Sequence, residues 1–330
     1  MTEFELIRRH FAPPAQGAVR LGVGDDCALV ALPPGELLAA TADCLVAGVH
    51  FFADGDPALV ARRALRVNLS DLAAMGARPL AFLLCLTLPE ADEAWLAPFA
   101  AGLAEDARAF ACPLAGGDTT RGPLQIAITA LGAVAEGRAL TRGGGRPGDL
   151  VGVSGALGAA ALAVRRGGGD PRTDAAARYW LPEPRLALGR ALAGEASAAV
   201  DLSDGLLQDL GHLARSSGLA AVVEASRLPL HPALAALPAE EARLLAATGG
   251  DDYELCFAVP PERRAAVEAL AAAADCPVTW VGRLELGPPG RVRLVDGRGA
   301  EIIPPRPGYD HFAPAPCAAP GGGQNGGGEG

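Results

Sequence analysis

Acidic residues recur along this chain where a short apolar segment meets a turn, in most cases beside glycine. The pattern is repeated around Asp43, Asp118, Asp201 and Asp251. A short apolar run that ends in such a turn predicts a β-strand, and helical periodicity follows several of these turns. Because strands alternate with helices, the chain is expected to fold as α/β layers, with its acids at strand ends and in loops.

Size, hydrophobicity and charge narrow the class of protein. The 330 residues suffice for two domains with separate cores, and half of them are hydrophobic, as in a globular protein. The sequence shows neither an apolar run of membrane-spanning length nor a signal-peptide pattern, so we expect a cytoplasmic protein. A net charge of -10 argues against electrostatic binding of nucleic acid. The seven cysteines are scattered, which indicates neither a disulfide framework nor a zinc site.

The basic residues are of one kind. All 28 are arginine, and the chain contains no lysine. This excludes Schiff-base catalysis, the Walker A lysine and the strand lysine of protein kinases. If the protein handles nucleotide phosphates, it must hold them with metal ions, arginine and backbone amides.

Asp25 and Asp26 interrupt the first predicted strand, which spans residues 21–32. Neighbouring side chains in a regular strand point to opposite faces, so one carboxylate can face a site while the other is solvated or caps a turn. A polar loop pair without a ligand is the second interpretation. Both stay open for this motif taken alone.

A helix is predicted to begin at Asp56 and Pro57, as N-cap and first helical residue, and to end at Gly76. With a period of 3.6 residues, Asn68 and Asp71 lie on a stripe otherwise made of alanine and methionine. Burying an ionised carboxylate there is unfavourable unless it binds metal or pairs with a cation. A magnesium ligand and a salt bridge to arginine are the two interpretations.

The next segments alternate strand and helix. The near-continuous apolar run over residues 80–88 predicts a strand buried on both faces, and a helix follows over residues 91–111. A turn is then predicted around Gly116, Gly117 and Asp118. Its glycines permit close approach of a phosphate, and its Asp supplies hard oxygen ligands. The alternative is an ordinary turn that binds neither phosphate nor metal.

Glycine marks the boundary between the predicted domains. Residues 141–149 are rich in turn formers, and we place the boundary near residue 145. Beyond it, Asp201 and Asp204 bracket a turn at the start of a helix, where Asp204 is the predicted N-cap. Capping accounts for one of these acids and not for both. Residues 313–330 have the composition of a disordered tail.

The recurring acids have no histidine or cysteine partners at metal-ligand spacing. Hard carboxylate oxygens favour Mg²⁺ over zinc, and Mg²⁺ usually arrives with phosphates. The sequence therefore indicates a magnesium site that receives phosphorylated substrates.

Several short motifs together carry a resemblance to a known family. They are GVGDDCA, VNLSDLAAMGA, GGDTTRG, DLSDGL and GYDHF, and the similarity extends over residues 2–312. The chain resembles thiamine-monophosphate kinases, in the superfamily of aminoimidazole ribonucleotide synthetase, selenophosphate synthetase and hydrogenase maturation factor E. The resemblance implies the α/β (α+β) two-domain fold of aminoimidazole ribonucleotide synthetase. Residues 1–145 would form a sheet-and-helix domain for ATP, Mg²⁺ and dimerisation, and residues 146–312 an α/β domain.

The resemblance also implies an activity and its residues. The family phosphorylates thiamine monophosphate with ATP and several Mg²⁺ ions, in the last step of thiamine diphosphate biosynthesis. We expect direct in-line transfer without a catalytic side chain, in a homodimer that binds neither nucleic acid nor membrane. The implied metal ligands are Asp26, Thr41, Ala42, Asp43, Asp71, Asp118, Asp201 and Asp204. The implied ATP contacts are Gly117, Asp118, Arg142 and Ser203, and the implied substrate contacts are His50, Asp251 and Tyr309.

Three positions depart from the family pattern. Ala42 replaces the usual threonine, Asp251 replaces the usual glutamate, and Ala159 follows Gly158 where an aspartate is common. Two alternative functions remain at this point: another ATP-using member of the superfamily, or a non-catalytic protein that binds thiamine phosphates or nucleotide.

Overall fold

The structure is a computed structural model that describes residues 3–23 and 27–309. Its helices are α1 (Glu3–His10), α2 (Pro57–Ala74), α3 (Glu93–Ala109), α4 (Ala159–Arg165), α5 (Asp174–Trp180), α6 (Leu186–Leu192), α7 (Leu206–Ser216), α8 (Ala239–Thr248) and α9 (Arg264–Ala273). Its strands are β1 (Val19–Leu21), β2 (Leu29–Val30), β3 (Glu36–Val46), β4 (Arg78–Leu88), β5 (Leu114–Arg121), β6 (Gln125–Ala135), β7 (Leu150–Ser154), β8 (Ala198–Asp201), β9 (Ala220–Glu224), β10 (Leu255–Val259), β11 (Val278–Glu285), β12 (Val292–Val295) and β13 (Glu301–Ile302).

The strands form two main sheets. The first has the order β3-β6-β4-β5, and the second has the order β13-β12-β9-β11-β7-β10-β8. Helices pack on both, which confirms the predicted α/β (α+β) class. The predicted domain boundary near residue 145 lies between the last strand of the first sheet and the first strand of the second, and it stays a prediction.

One face of the first sheet packs against α2 and α3. Phe82, Leu84 and Leu86 of β4 point to these helices and are buried. The opposite face of the same strand is covered only at one end: Ala81 is buried against Val19 of β1, whereas Leu83 is half-buried and Cys85 is exposed. The prediction that β4 is buried on both faces is therefore wrong around Cys85, where only one side of the sheet is covered.

The segment around Gly117 is a strand and not the predicted turn. β5 runs parallel to β4, with Gly117 paired with Leu84 and Asp118 with Cys85. Gly117 has a φ of 149°, and a Cβ atom there would lie 1.8 Å from the carbonyl oxygen of Leu84. The glycine lets the backbone of β5 approach β4 closely, which the sequence pattern did not distinguish from a turn.

Helix α2 lies at the centre of the molecule. Asp56 caps it by accepting a hydrogen bond from the amide of Ala58 at 2.8 Å, Pro57 is its first residue, and Gly76 follows it with a φ of 66°. These ends confirm the sequence prediction. Alanine and leucine side chains of α2 pack against both sheets. Burying one leucine side chain completely stabilises the folded state by about 2 kcal/mol.

The packing of α2 against α6 depends on Gly189. A Cβ atom at this position would lie 1.9 Å from the carbonyl oxygen of Ala73, so the two backbones are in direct contact. This contact joins the layer of the first sheet to a helix that packs on the second. It fixes the distance across which the polar residues of α2 reach the second sheet.

We predict that Gly189→Ala lowers the free energy of unfolding by about 2 kcal/mol, because the added methyl group forces α2 and α6 apart. Within a helix, alanine is otherwise more favourable than glycine by about 1 kcal/mol. A loss of stability would therefore come from the clash of the added methyl group with Ala73. Urea denaturation measures the difference. Gly297→Ala is the control, since a Cβ atom there meets no other atom within 4 Å. Unchanged or raised stability of Gly189→Ala would contradict the packing described.

Candidate active site

A cavity of about 340 Å³ opens between the two sheets beside α2. Acidic, basic and aromatic side chains line it, together with the apolar side chains of Leu45 and Val67. The lining residues are Asp43, Cys44, Leu45, His50, Arg63, Val67, Ser203, Asp204, Tyr253 and Tyr309. Five of the predicted site residues therefore meet in one cleft, although they come from segments far apart in the chain: Asp43, His50, Ser203, Asp204 and Tyr309.

Two residues of α2 fix the end of β3. The hydroxyl of Thr41 donates a hydrogen bond to Asp71 Oδ2 at 2.5 Å. The amide oxygen of Asn68 accepts one from the backbone N–H of Asp43 at 3.0 Å, while its nitrogen donates to the carbonyl of Ala64. The polar stripe predicted on this helix thus faces β3 and holds Asp43 and Asp71 side by side.

Burial and neighbouring charges shift the pKa values of these two carboxyl groups. Burial, helped by the charge of Asp71, raises the pKa of Asp43 to about 6. Burial also raises the pKa of Asp71, against the opposing effects of the Thr41 hydrogen bond and the Arg142 charge. Asp71 makes no ion pair within the described part of the chain. The salt-bridge interpretation of this residue is therefore not realised.

Asp201 joins the same electrostatic group from the second sheet. It ends β8, is 4 % exposed, and accepts a hydrogen bond from the hydroxyl of Ser70 on α2 at 2.9 Å. Burial raises its pKa well above the usual value, and the charges of Asp71, Asp209 and Asp43 add to the effect. Acids from both sheets are thus close enough to repel one another.

Asp209 supports the turn that follows β8. Its Oδ2 accepts hydrogen bonds from the backbone N–H groups of Asp204 and Gly205, each at 3.0 Å. Gly205, and not Asp204 as predicted, is the N-cap residue of α7, and the Asp204 side chain lines the cavity. Sequence reasoning missed Asp209 because an acid in the first turn of a helix is common and carries no specific signal.

The loop before β10 forms another wall. The amides of Asp251 and Tyr253 donate to the carbonyls of Ser203 and Leu202, both at 2.8 Å. The carboxylate of Asp251 pairs with the guanidinium of Arg63 on α2. Sequence reasoning also missed Arg63, because α2 carries three arginines, Arg62, Arg63 and Arg66, and the sequence does not show which of them faces the cleft.

His50, Tyr309 and Arg142 approach the cleft from loops. His50 Nδ1 accepts a hydrogen bond from the amide of Val46 at 3.0 Å, which places the ring proton of the neutral form on Nε2. Tyr309 is exposed, and its amide donates to the carbonyl of Asp204 at 3.0 Å. Arg142 is exposed, and its charge lowers the pKa of Asp71, so it acts on the site electrostatically.

The structure does not bring all predicted site residues together. Asp43 is level with Gly117 across the first sheet, three strand spacings or roughly 14 Å away. Asp118 follows Gly117 and lies on the exposed face, opposite to the helices, as does Ala42 on β3. Within one chain, Gly117 and Asp118 are therefore separate from the cleft. Asp26 lies outside the described residues.

The donor set of the cleft fits Mg²⁺. Its polar ligands beside α2 are carboxylate and hydroxyl oxygens, which are hard donors, and the repelling acids would gain from a bound cation. Among the described residues no three His, Cys, Asp or Glu side chains are close enough to hold one ion. Mg²⁺ commonly takes one or two protein carboxylates and completes its shell with phosphate oxygens and water.

Comparisons with known proteins identify the fold and the family. Residues 24–134 match the family model of AIR synthase related protein, N-terminal domain, and residues 146–295 match that of the C-terminal domain. Thiamine-monophosphate kinase of Escherichia coli K12 is 43% identical over 321 residues, which cover 94% of this chain and 98% of that protein.

Solved structures agree. The crystal structure of thiamine-monophosphate kinase from Stenotrophomonas maltophilia has a TM-score of 0.79 and 44% identity, over 84% of this chain and 91% of that one. The structure of AaThiL complexed with AMPPCP and TMP has a TM-score of 0.73 and 30% identity, over 88% and 92% of the two chains. The motifs, the two-sheet fold and the high coverage of these relatives lead to one conclusion: the chain belongs to the thiamine-monophosphate kinase family.

Proposed function

We propose that the protein transfers the γ-phosphoryl group of ATP to thiamine monophosphate and so produces thiamine diphosphate. The observation that carries this proposal is the cleft in which acids from β3, α2 and β8 converge beside aromatic and basic side chains. The family supports it, since a relative with the same fold has been solved with an ATP analogue and TMP.

The acids of the cleft are proposed to bind Mg²⁺. Asp201 is buried, Asp43 and Asp71 are half-buried, and the charge of Asp71 raises the pKa of the other two acids. Asp204 lines the cavity next to them. When bound there, Mg²⁺ supplies charge neutralisation for the phosphate oxygens during transfer. Thr41 orients Asp71 through its hydrogen bond, and Arg142 and Ser203 would contact the phosphates of ATP.

The opposite wall is proposed to bind thiamine monophosphate. The face of Tyr309 can stack on the cationic heterocycle, and Tyr253 offers a second aromatic surface on the cavity wall. His50 lines the cavity with its ring oriented by the amide of Val46, and Asp251 provides a carboxylate. These residues position the acceptor phosphate, whose second pKa of about 6 leaves it largely ionised near neutral pH.

The transfer itself needs little help from side-chain chemistry. An ionised phosphate oxygen attacks the γ-phosphorus in line, the bond to the β-phosphate oxygen breaks, and ADP leaves with that oxygen. Because the acceptor is already ionised, no general base and no covalent enzyme intermediate are required. The residues act by holding the two phosphates at attack distance.

A homodimer is the proposed assembly. The exposed face of the first sheet is largely apolar, with Leu38 53 % exposed and Cys44 and Cys85 also exposed. Such a face usually marks an interface. Because Asp118 lies on this face and away from the cleft of its own chain, we propose that it completes a phosphate site together with the second copy.

Asp71→Asn is predicted to reduce kcat for thiamine diphosphate formation by about a thousandfold, because the amide cannot replace a metal-binding carboxylate. Steady-state kinetics with thiamine monophosphate measures the loss, and circular dichroism checks the fold. Asp170→Asn is the control, since Asp170 is paired with Arg172 on the surface, away from the cleft. Turnover of Asp71→Asn near that of the wild type would contradict the assigned site.

Asp201→Asn is predicted to stabilise the protein in EDTA by about 2 °C or more, since it removes one of the repelling buried charges. The same variant should lose most of the thermal stabilisation that Mg²⁺ with an ATP analogue gives to the wild type. Differential scanning calorimetry measures both. A wild type that gains no stability from Mg²⁺ would argue against the proposed ion.

Leu38→Arg is predicted to convert the dimer into a monomer, because it places a charge in the apolar face that the second copy would cover. Light scattering should give a mass near 33.3 kDa for the variant and twice that for the wild type. Leu286→Arg, at an exposed leucine outside this face, should leave the mass unchanged. A monomeric wild type would overturn the proposed assembly.

A further inference from the structure

Arg63 joins α2 to two segments that pack with the second sheet. Its side chain is 2 % exposed. Nη1 donates to the carbonyl oxygen of Tyr179 at 2.5 Å, and Nη2 donates to Asp251 Oδ1. The guanidinium also lies over the ring of Tyr179, 4.2 Å from its centroid, and 5.7 Å from the centroid of Tyr253. One buried cation therefore contacts three residues beside the proposed substrate.

Comparison with Arg66, about one turn further along α2, separates stability from function. Arg66 is also buried, and its Nε and Nη2 both donate to Asp106, at 2.6 and 3.1 Å. Arg63 Nε, by contrast, is the one buried side-chain nitrogen or oxygen in the described chain without a hydrogen-bond partner. An unsatisfied buried donor costs stability. The geometry of Arg63 is thus not the one that stability alone favours.

The loop that Arg63 contacts has an unfavourable backbone. Asp251 and Tyr253 have φ angles of 70° and 49°, in the left-handed region that costs a residue with a side chain about 1 kcal/mol or more. Backbone hydrogen bonds to Leu202 and Ser203 hold one side of this loop. Arg63 holds the other side, since it pairs with Asp251 and lies near the ring of Tyr253.

The pairing leaves part of Asp251 available. Oδ1 accepts from Arg63, and Oδ2 makes no hydrogen bond within the described residues. The side chain remains 29 % exposed, and the adjacent Tyr253 lines the cavity. A ligand with an N–H donor on an aromatic ring would therefore meet a carboxylate oxygen and an aromatic face together. The aminopyrimidine of thiamine is such a group.

We propose that Arg63 is a positioning residue for thiamine monophosphate: it fixes the Asp251 carboxylate and the Tyr253 ring in the orientation that receives the heterocycle. This rests on the proposed kinase function, and Arg63 itself does not take part in phosphoryl transfer. Losing Arg63 is expected to weaken binding of the acceptor and to leave the ATP side of the cleft intact.

The test compares Arg63→Met with Arg66→Met in the full-length protein. Titration calorimetry with thiamine monophosphate, in Mg²⁺ and a non-hydrolysable ATP analogue, should show Kd raised about tenfold or more for Arg63→Met. Arg66→Met should lower the melting temperature but keep Kd within about threefold of the wild type, since it contacts no residue of the cavity. In kinetics, Arg63→Met should raise KM for thiamine monophosphate and leave KM for ATP unchanged.

Two further variants make the test specific. Arg63→Lys, which keeps the charge beside Asp251, should recover most of the affinity. Asp251→Asn should also weaken binding of thiamine monophosphate. The double variant with Arg63→Met should have a Kd no higher than that of the single variant that binds less tightly, because both substitutions break the same Arg63–Asp251 pair. Arg63→Gln replaces the methionine variant if the latter does not fold.

The outcomes separate this inference from the proposed function. A wild type that binds no thiamine monophosphate overturns the proposed function. If the wild type binds thiamine monophosphate, equal Kd values for the Arg63 and Arg66 variants would overturn the role of Arg63. Additive effects of the Arg63 and Asp251 substitutions would do the same. In both cases the proposed function would stand.

Discussion

A buried helix that carries charged and polar side chains is the constraint on which this structure depends. Helix α2 lies between two sheets, where each unpaired polar group would cost several kcal/mol. Each of its buried polar residues, and the half-buried Asp71, has a partner from another element, although Nε of Arg63 has none within the described residues. The pairs are Arg63 with Asp251, Arg66 with Asp106, Asn68 with the amide of Asp43, Ser70 with Asp201, and Asp71 with Thr41. These pairs hold the two sheets at a defined distance and place the acids of both beside one cleft.

The same arrangement leaves negative charge uncompensated. The charge of Asp71 raises the pKa of both Asp43 and Asp201, while burial raises the pKa of Asp71 itself against the opposing effects of Thr41 and Arg142. A protein that folds with repelling carboxylates in its interior tolerates a loss of stability that a bound cation can reverse. The loop with the unfavourable backbone conformation at Asp251 borders the same cleft, and so does Arg63, whose Nε has no hydrogen-bond partner within the described residues. Strained backbone is commonly found at functional sites.

The local features of the fold follow from the sequence. Asp56, Pro57 and Gly76 predict the ends of α2, and the period of 3.6 residues places Asn68 and Asp71 on one stripe. The period does not show that this stripe faces β3, which the hydrogen bonds of the structure establish. Features that depend on distant partners did not follow. Arg63 pairs with a residue 188 positions away, and nothing near either residue predicts it. The sequence does not distinguish β5 from a turn, because glycines that permit close strand packing also permit turns. It does not predict the exposed part of β4 either, because β4 is apolar on both faces.

The most direct test of the central claim, that this cleft phosphorylates a phosphate, compares two acceptors. Purified protein is incubated with Mg²⁺ and ATP together with either thiamine monophosphate or free thiamine, and the products are separated chromatographically. The account predicts thiamine diphosphate from the monophosphate and no phosphorylated product from thiamine, because the site relies on an acceptor that is already ionised. Phosphorylation of free thiamine, or no product from either acceptor, would contradict it.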